Sequence, residues 1–216
     1  MIKGLIFDMD GVLIDSEPLY KKLNDELFKE LGFSLTDEEY AQFVGTTDEK
    51  MLSDLKERFS LQRSVNDMNR LREEIHMQYF RSAALSPMNY LLDLLNWAKE
   101  RKLKLAVASS TDEKFVLLIL EKIGIINYFQ TVVCGNQINH SKPAPDIFLK
   151  AAKELELNPE ECIVIEDSEN GVKAGLSAGM HVIGFQSDDG SQNLSEAHTR
   201  VHSLKEVKKK IIEELI

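Results

Sequence analysis

From Leu103 to Phe185 the chain alternates short apolar runs of strand length with helical patterns, and that alternation leaves few folds open. The runs are Leu103 to Ala108, 131–134, 162–166 and 181–185, and the helical stretches between them are 112–123, 145–156 and 168–178. Strands joined through helices must run parallel, so the pattern predicts an open parallel sheet with helices on both faces. The amino-terminal run Ile2 to Phe7 has the same buried-strand character and belongs to the same sheet.

Between that first run and the alternating region the chain reads as helix throughout. Ser16 is placed to cap a helix in which Leu19, Leu23, Leu27 and Leu31 recur every four residues, and Gly32 ends it. Further helical patterns run from Thr36 to Val44, from Thr47 to about Phe59 and from Asn66 to about Ser82, with Gly45 as a natural helix end. A helix with Leu91, Leu92, Leu94, Leu95 and Trp97 then leads back into the alternation. The expectation is an α/β fold: a doubly wound, Rossmann-like core made of 1–15 and 82–216, interrupted after its first strand by a helical cap domain over 16–81. An insertion there is placed to act as a lid over the strand ends.

The 216 residues are enough to bury a real core, and 43% hydrophobic with 29% charged residues are ordinary globular values. With 26 basic against 36 acidic residues, net charge −10, the chain has no basic stripe for nucleic acid. Lys208-Lys209-Lys210 sits among Leu204, Val207, Ile211, Ile212 and Leu215 at helical spacing and reads as a solvated helix face. Cys134 and Cys162 each lie in a β-like apolar run, as buried free thiols would. No apolar run nears membrane-spanning length and no charged leader precedes the first strand. These features predict a cytoplasmic protein with a small-molecule partner, engaging neither membrane nor nucleic acid; oligomeric state is not legible, with a monomer favoured.

Acidic and hydroxyl residues gather where the strands end. Asp8 and Asp10 follow the first run, two residues apart, with Gly11 directly after them. Two like charges this close in an apolar setting raise each other's pKa unless a cation offsets them, although Asp10-Gly11 also suits an ordinary turn. Ser109-Ser110-Thr111 ends the second run and Asp112-Glu113 opens a helix, a junction that suits an anionic oxygen or, equally, a simple helix cap on Ser110 or Thr111. Lys142 suits a solvated surface as a lone lysine usually does, but it precedes Pro143 and Pro145, which restrict the local backbone as precise positioning requires. The run 162–165 ends in a second acidic pair, Glu166-Asp167, followed by Ser168, either of the last two being able to cap the next helix. Gly171, Gly175 and Gly179 at four-residue spacing predict a helix that approaches the sheet closely.

The strand followed by Asp8-Met9-Asp10-Gly11-Val12 resembles the opening motif of the haloacid dehalogenase superfamily, and Asp15-Ser16-Glu17-Pro18 resembles its sugar-phosphate phosphatase and phosphomutase branch. Ser109, Lys142-Pro143-Ala144-Pro145-Asp146 and Glu166-Asp167 match the later motifs in order, so the resemblance spans almost the whole chain. It implies Asp8 as nucleophile, forming an aspartyl-phosphate, and Asp10 as the acid and then the base. Lys142 would neutralise charge between nucleophile and phosphate, and Ser109, with the main chain at Ser110, would bind the phosphoryl group. It further implies Mg²⁺ held by Asp8, the Asp10 carbonyl and Asp167, with Glu166 ligating directly or through water. The activity implied is Mg²⁺-dependent hydrolysis of a small phosphorylated metabolite, a sugar or polyol phosphate. His140 carries no assigned role.

The alternative within the branch is a β-phosphoglucomutase-like phosphomutase. A mutase holds a bisphosphorylated intermediate and needs a cationic clamp for the distal phosphate, best an arginine fork. Those members carry an arginine shortly after the glycine that corresponds to Gly45, where this chain reads Thr46-Thr47-Asp48-Glu49. Tyr20 stands in place of their histidine, leaving Lys21 or Lys22 as substitutes. A dehalogenase lacks the second aspartate, and a receiver domain, which also phosphorylates an aspartate on a doubly wound fold, needs no helical insertion.

Overall fold

The computed structural model describes residues 1–43, 46–186 and 192–211. Val44 and Gly45, expected at a helix end, and Ile212 and Leu215 lie outside the described residues. The chain divides into two compact units, Met1–Ser16 with Leu85–Ile216, and Glu17–Ala84.

In the first unit β1 (Gly4–Phe7) is fully buried, as a strand covered on both faces must be. The helical unit holds α1 (Glu17–Glu30), α2 (Asp37–Ala41), α3 (Asp48–Arg58) and α4 (Val65–Ser82). Thr36, Thr47 and Ser64 cap the last three through side-chain oxygens, and Thr36 forms a reciprocal capping box with Glu39. After α1, Gly32 adopts φ 90° while Phe33 N–H returns to the Phe28 carbonyl, a glycine-terminated helix end. Leu27, Phe28, Met51, Leu52, Leu55 and Met68 form this unit's own core, with Phe33 stacked between Phe28 and Phe59.

The first unit resumes with α5 (Leu91–Glu100), β2 (Lys104–Ser109), α6 (Glu113–Lys122), β3 (Thr131–Cys134), α7 (Asp146–Glu154), β4 (Cys162–Glu166), α8 (Glu169–Ser177), β5 (His181–Phe185), β6 (Thr199–Val201) and α9 (Leu204–Lys210). Among the described residues the six strands are all parallel, in the order β3-β2-β1-β4-β5-β6. The doubly wound architecture predicted from the alternation is present, with one strand, β6, added at the edge. Ile6, Ala106, Ala108, Val164 and Val182 bury against residues of α7 and α8. Leu5, Phe7, Leu105 and Val107, alternating with them, bury on the opposite face, where α5 packs on β2 and α9. Of the three spaced glycines, only Gly175 serves close packing: a Cβ there would stand 2.8 Å from Val182. Gly179, with φ 76°, lies past the helix end with open space around it.

Among the described residues no helix is long and apolar enough to cross a membrane. Cys134 and Cys162 are free and buried, as expected, and burial pushes their thiols up to about 12 and about 11.

Candidate active site

The strand order reverses between β2 and β4, which flank β1, and ligands in open parallel sheets collect outside the carboxyl ends at such a switch point. Register decides which residues meet there. Phe7 stands level with Val107 of β2 and Ile165 of β4, so Asp8, Ala108 and Glu166 come next, side by side. The Asp8 N–H continues the ladder by donating to the Ile165 carbonyl at 3.0 Å.

Beyond Asp8 the chain turns at once. Gly11, with φ 75°, donates its N–H to the Ile14 carbonyl at 2.8 Å, and Leu13 N–H donates to the Met9 carbonyl at 2.9 Å. Glycine is required for its conformation and also for space, since a Cβ at Gly11 would stand 1.9 Å from Asp167 Oδ2. The Asp167 carboxylate therefore lies directly over the turn that carries Asp10. A Cβ at Gly171 would fall 1.7 Å from Glu166 Oε1, so this glycine makes room for a carboxylate and not for the sheet.

Lys142 reaches into this group from the loop before α7. Its Nζ donates to Asp8 Oδ1 at 2.5 Å, Glu166 Oε1 at 2.7 Å and the Ala108 carbonyl at 3.2 Å, and the ammonium stands 5.0 Å from the Phe148 ring centre. All three N–H bonds of the ammonium are thus directed. The other Glu166 oxygen accepts from the Ser168 N–H at 2.7 Å and its hydroxyl at 2.9 Å. Ser168 also caps α8 by accepting from Gly171 N–H, so of the two capping candidates Ser168 is used and Asp167 is not.

Burial drives the electrostatics. It pushes the Asp8 carboxyl up to about 8 against the pull of Lys142, with Glu166 and Asp10 adding to the push. Asp167 rises to about 9, through burial first and then through Glu166, Asp8 and Asp10. Burial alone would drive Lys142 towards its neutral form, but the Asp8 and Glu166 carboxylates outweigh it and hold the ammonium above the ordinary lysine range. Four carboxyl groups around one ammonium cannot all ionise cheaply, which is why Asp8 and Asp167 are raised, and a divalent cation would offset the negative charge of the ionised set.

The donor set suits a hard cation. Among the described residues no three His, Cys, Asp or Glu side chains form a ready cage, and Mg²⁺ seldom uses one: it takes one or two carboxylates and completes its shell with water and substrate phosphate. Asp8, Asp167 and the Asp10 carbonyl are donors of that kind. Glu166 has both oxygens engaged by Lys142 and Ser168.

At the end of β2, Ser109 is fully buried and its Oγ accepts from the Thr111 N–H at 3.1 Å, while the Ser110 side chain is exposed. Neither Ser110 nor Thr111 caps α6; Asp112 does, accepting from Lys114 N–H at 3.1 Å. Thr111 instead donates its hydroxyl to Asp10 Oδ2 at 2.9 Å. Sequence reasoning missed this role, and the signal was Asp112, an equally good cap one residue on. His140, exposed on the loop before α7, pairs at 2.9 Å with Asp146, the first residue of that helix.

Residues 5–185 match the model of the haloacid dehalogenase-like hydrolases. The chain is similar to a phosphorylated carbohydrates phosphatase of Thermotoga maritima, 32% identical with 84% of each chain covered. It is also similar to a fructose-1-phosphate phosphatase of Escherichia coli, 30% identical with 83% of this chain and 94% of the relative covered. Among solved structures, a β-phosphoglucomutase of Clostridium difficile matches with TM-score 0.83 and 25% identity, over 99% of this chain and 96% of that one. The matched span takes in the strand ends that carry Asp8, Ser109, Lys142 and Asp167, and the relatives are phosphatases and a sugar-phosphate mutase. The chain belongs to the haloacid dehalogenase-like hydrolase family.

Proposed function

We propose that the protein is a Mg²⁺-dependent phosphatase acting on a small sugar or polyol phosphate through an aspartyl-phosphate on Asp8. The observation that carries this reading is the buried Asp8–Lys142–Glu166 group at the switch point: with Lys142 and a bound cation holding Asp8 ionised against its burial, the carboxylate needs no base to become a nucleophile. Asp8 attacks phosphorus while Asp10 protonates the departing alkoxide oxygen. Asp10 then takes a proton from the water that attacks the same phosphorus, releasing phosphate and the free Asp8 carboxylate. Lys142 and Ser109 offset charge on the phosphoryl oxygens. Asp8, the Asp10 carbonyl and Asp167 would hold a Mg²⁺, which would supply electrostatic stabilisation of the transferring group. The carbohydrate phosphatases among the relatives support the substrate class.

The helical unit favours hydrolysis over mutase chemistry. Asp48, in the segment where the mutases carry an arginine, is ion-paired with Arg72. Lys21 is held by Asp25 and Asp37, each at 3.0 Å, and Lys22 lies 4.9 Å from the Tyr79 ring centre, so neither stands as a ready phosphate clamp. Tyr20 packs beside His76 and Phe80. Gly45 itself lies outside the described residues.

The test supplies β-glucose 1-phosphate with a trace of the 1,6-bisphosphate, and a panel of sugar and polyol phosphates, with Mg²⁺ and in excess chelator. Phosphate release without isomerisation, lost in chelator, is expected. Glucose 6-phosphate forming much faster than phosphate, or full activity in chelator, would overturn the reading.

A further inference from the structure

We infer that Thr111 is a positioning residue for Asp10, and that through it the end of β2 decides which Asp10 oxygen exchanges the proton. The inference rests on the acid and base role given to Asp10 above. Thr111 sits where three strand ends meet. Its N–H donates to Ser109 Oγ at 3.1 Å, its hydroxyl to Asp10 Oδ2 at 2.9 Å, and its carbonyl accepts from Gly135 N–H, just past β3, at 3.4 Å. Gly135 fits so close because it lacks a side chain: a Cβ there would stand 2.3 Å from the Ser110 carbonyl oxygen. The threonine is thus fixed on both sides of its Cα, and Asp112 relieves its hydroxyl of capping α6.

The chemical consequence follows from the hydroxyl's single proton. A protonated carboxyl accepts hydrogen bonds best at its carbonyl oxygen, so the Thr111 hydroxyl on Oδ2 favours a proton carried on Oδ1. An acid and base that acts on a leaving oxygen and then on a water must present one oxygen in one direction in both steps, and small misplacements of such groups are costly. The same threonine holds Ser109, so the phosphoryl-binding hydroxyl and the proton-transfer carboxylate are set by one residue.

The experiment uses the full chain with Mg²⁺ and compares the parent with Thr111→Val, Thr111→Ser, Asp10→Ala and the Thr111→Val/Asp10→Ala double variant. Substrates are alkyl phosphates, whose alkoxide needs a proton, and p-nitrophenyl phosphate, whose phenolate does not. Thr111→Val should lower kcat on alkyl phosphates about tenfold, with KM within about twofold and the thermal midpoint unchanged. Single-turnover release of nitrophenolate should stay near the parent rate, Thr111→Ser should recover most of the loss, and Thr111→Val should cost nothing further in the Asp10→Ala background. Equal loss on both substrate types, no recovery in serine, or an undiminished loss without Asp10 would overturn the assignment. Asp10→Ala turning over alkyl phosphates at the parent rate would instead remove the acid and base role of Asp10 itself.

Discussion

In the helical unit Lys50 meets Asp54 one turn along α3, with 64% and 44% of the two side chains exposed; at the switch point Lys142 meets Asp8 and Glu166 with 7%, 9% and 0% exposed. The first arrangement is largely solvated, and exposed pairs of this kind contribute between about 0 and 1 kcal/mol. The second takes three charges out of water, and desolvation makes such groups poor stabilisers even when well paired. A fold that keeps them is carrying them for another purpose. The contrast extends to acids: Glu39 is held below the ordinary carboxylate range by the Thr36 N–H and by Arg58, whereas burial drives Asp8 and Asp167 up. Lys50 and Glu39 have partners within the helical unit, while the acids at the strand ends outnumber the one lysine among them, an excess that a divalent cation would offset.

The largest effect that can break this contrast is on turnover. Asp8→Asn should reduce phosphate release by on the order of 10⁴-fold or more, since a nucleophile is lost, while circular dichroism remains that of the parent. Substantial phosphate release by this variant would remove Asp8 from its role.

Next, Lys142→Ala leaves Asp8 and Glu166 buried without their cation. It should cost about 3–5 kcal/mol in denaturant unfolding, and turnover should fall by about 10²-fold. Lys50→Ala should stay within about 0.5 kcal/mol of the parent. Equal costs for the two lysines would erase the distinction.

A smaller effect follows from Gly171→Ala, whose methyl would occupy the place of Glu166 Oε1. Glu166 must shift and take Lys142 with it, so a loss of about 1–3 kcal/mol is expected together with reduced turnover. Unchanged activity would show that Glu166 does not orient Lys142.

The smallest effect lies in the helical unit. Burial, aided by Arg72, pushes His76 down to about 3, so the folded state keeps it neutral while the unfolded chain binds a proton below its ordinary value near 6.5. Stability from this group is complete above that value and is lost as pH falls towards 3. Between about pH 7 and about pH 5.5 the loss is about 1 kcal/mol, and His76→Leu should flatten the slope of unfolding free energy over that window. An unchanged slope would show that His76 is not the group responsible.

Periodicity is a local property, and it sufficed for the parallel sheet and the succession of helices; strand-end chemistry left Asp8, Asp10, Ser109, Glu166 and Asp167 open to ordinary turn and cap roles, and it was the resemblance to family motifs that singled them out together with Lys142. Thr36 and Thr47 were legible as helix starts because a cap acts within one turn of its own sequence. β6 was not legible: it has three residues, of which only Val201 is buried, and it exists because β5 offers an open edge. The bonds of Thr111 to Asp10 and of Lys142 to Glu166 span 101 and 24 residues of chain, and no local pattern encodes them. Gly171 shows the same division, since spacing placed it on a helix with Gly175, and only the fold put a carboxylate where its side chain would be. The sequence by itself determined which residue types stand at each strand end, because propensity and burial act over a few residues. Parallel register then decided which of them meet, because pairing between strands far apart in the chain sets their neighbours in space.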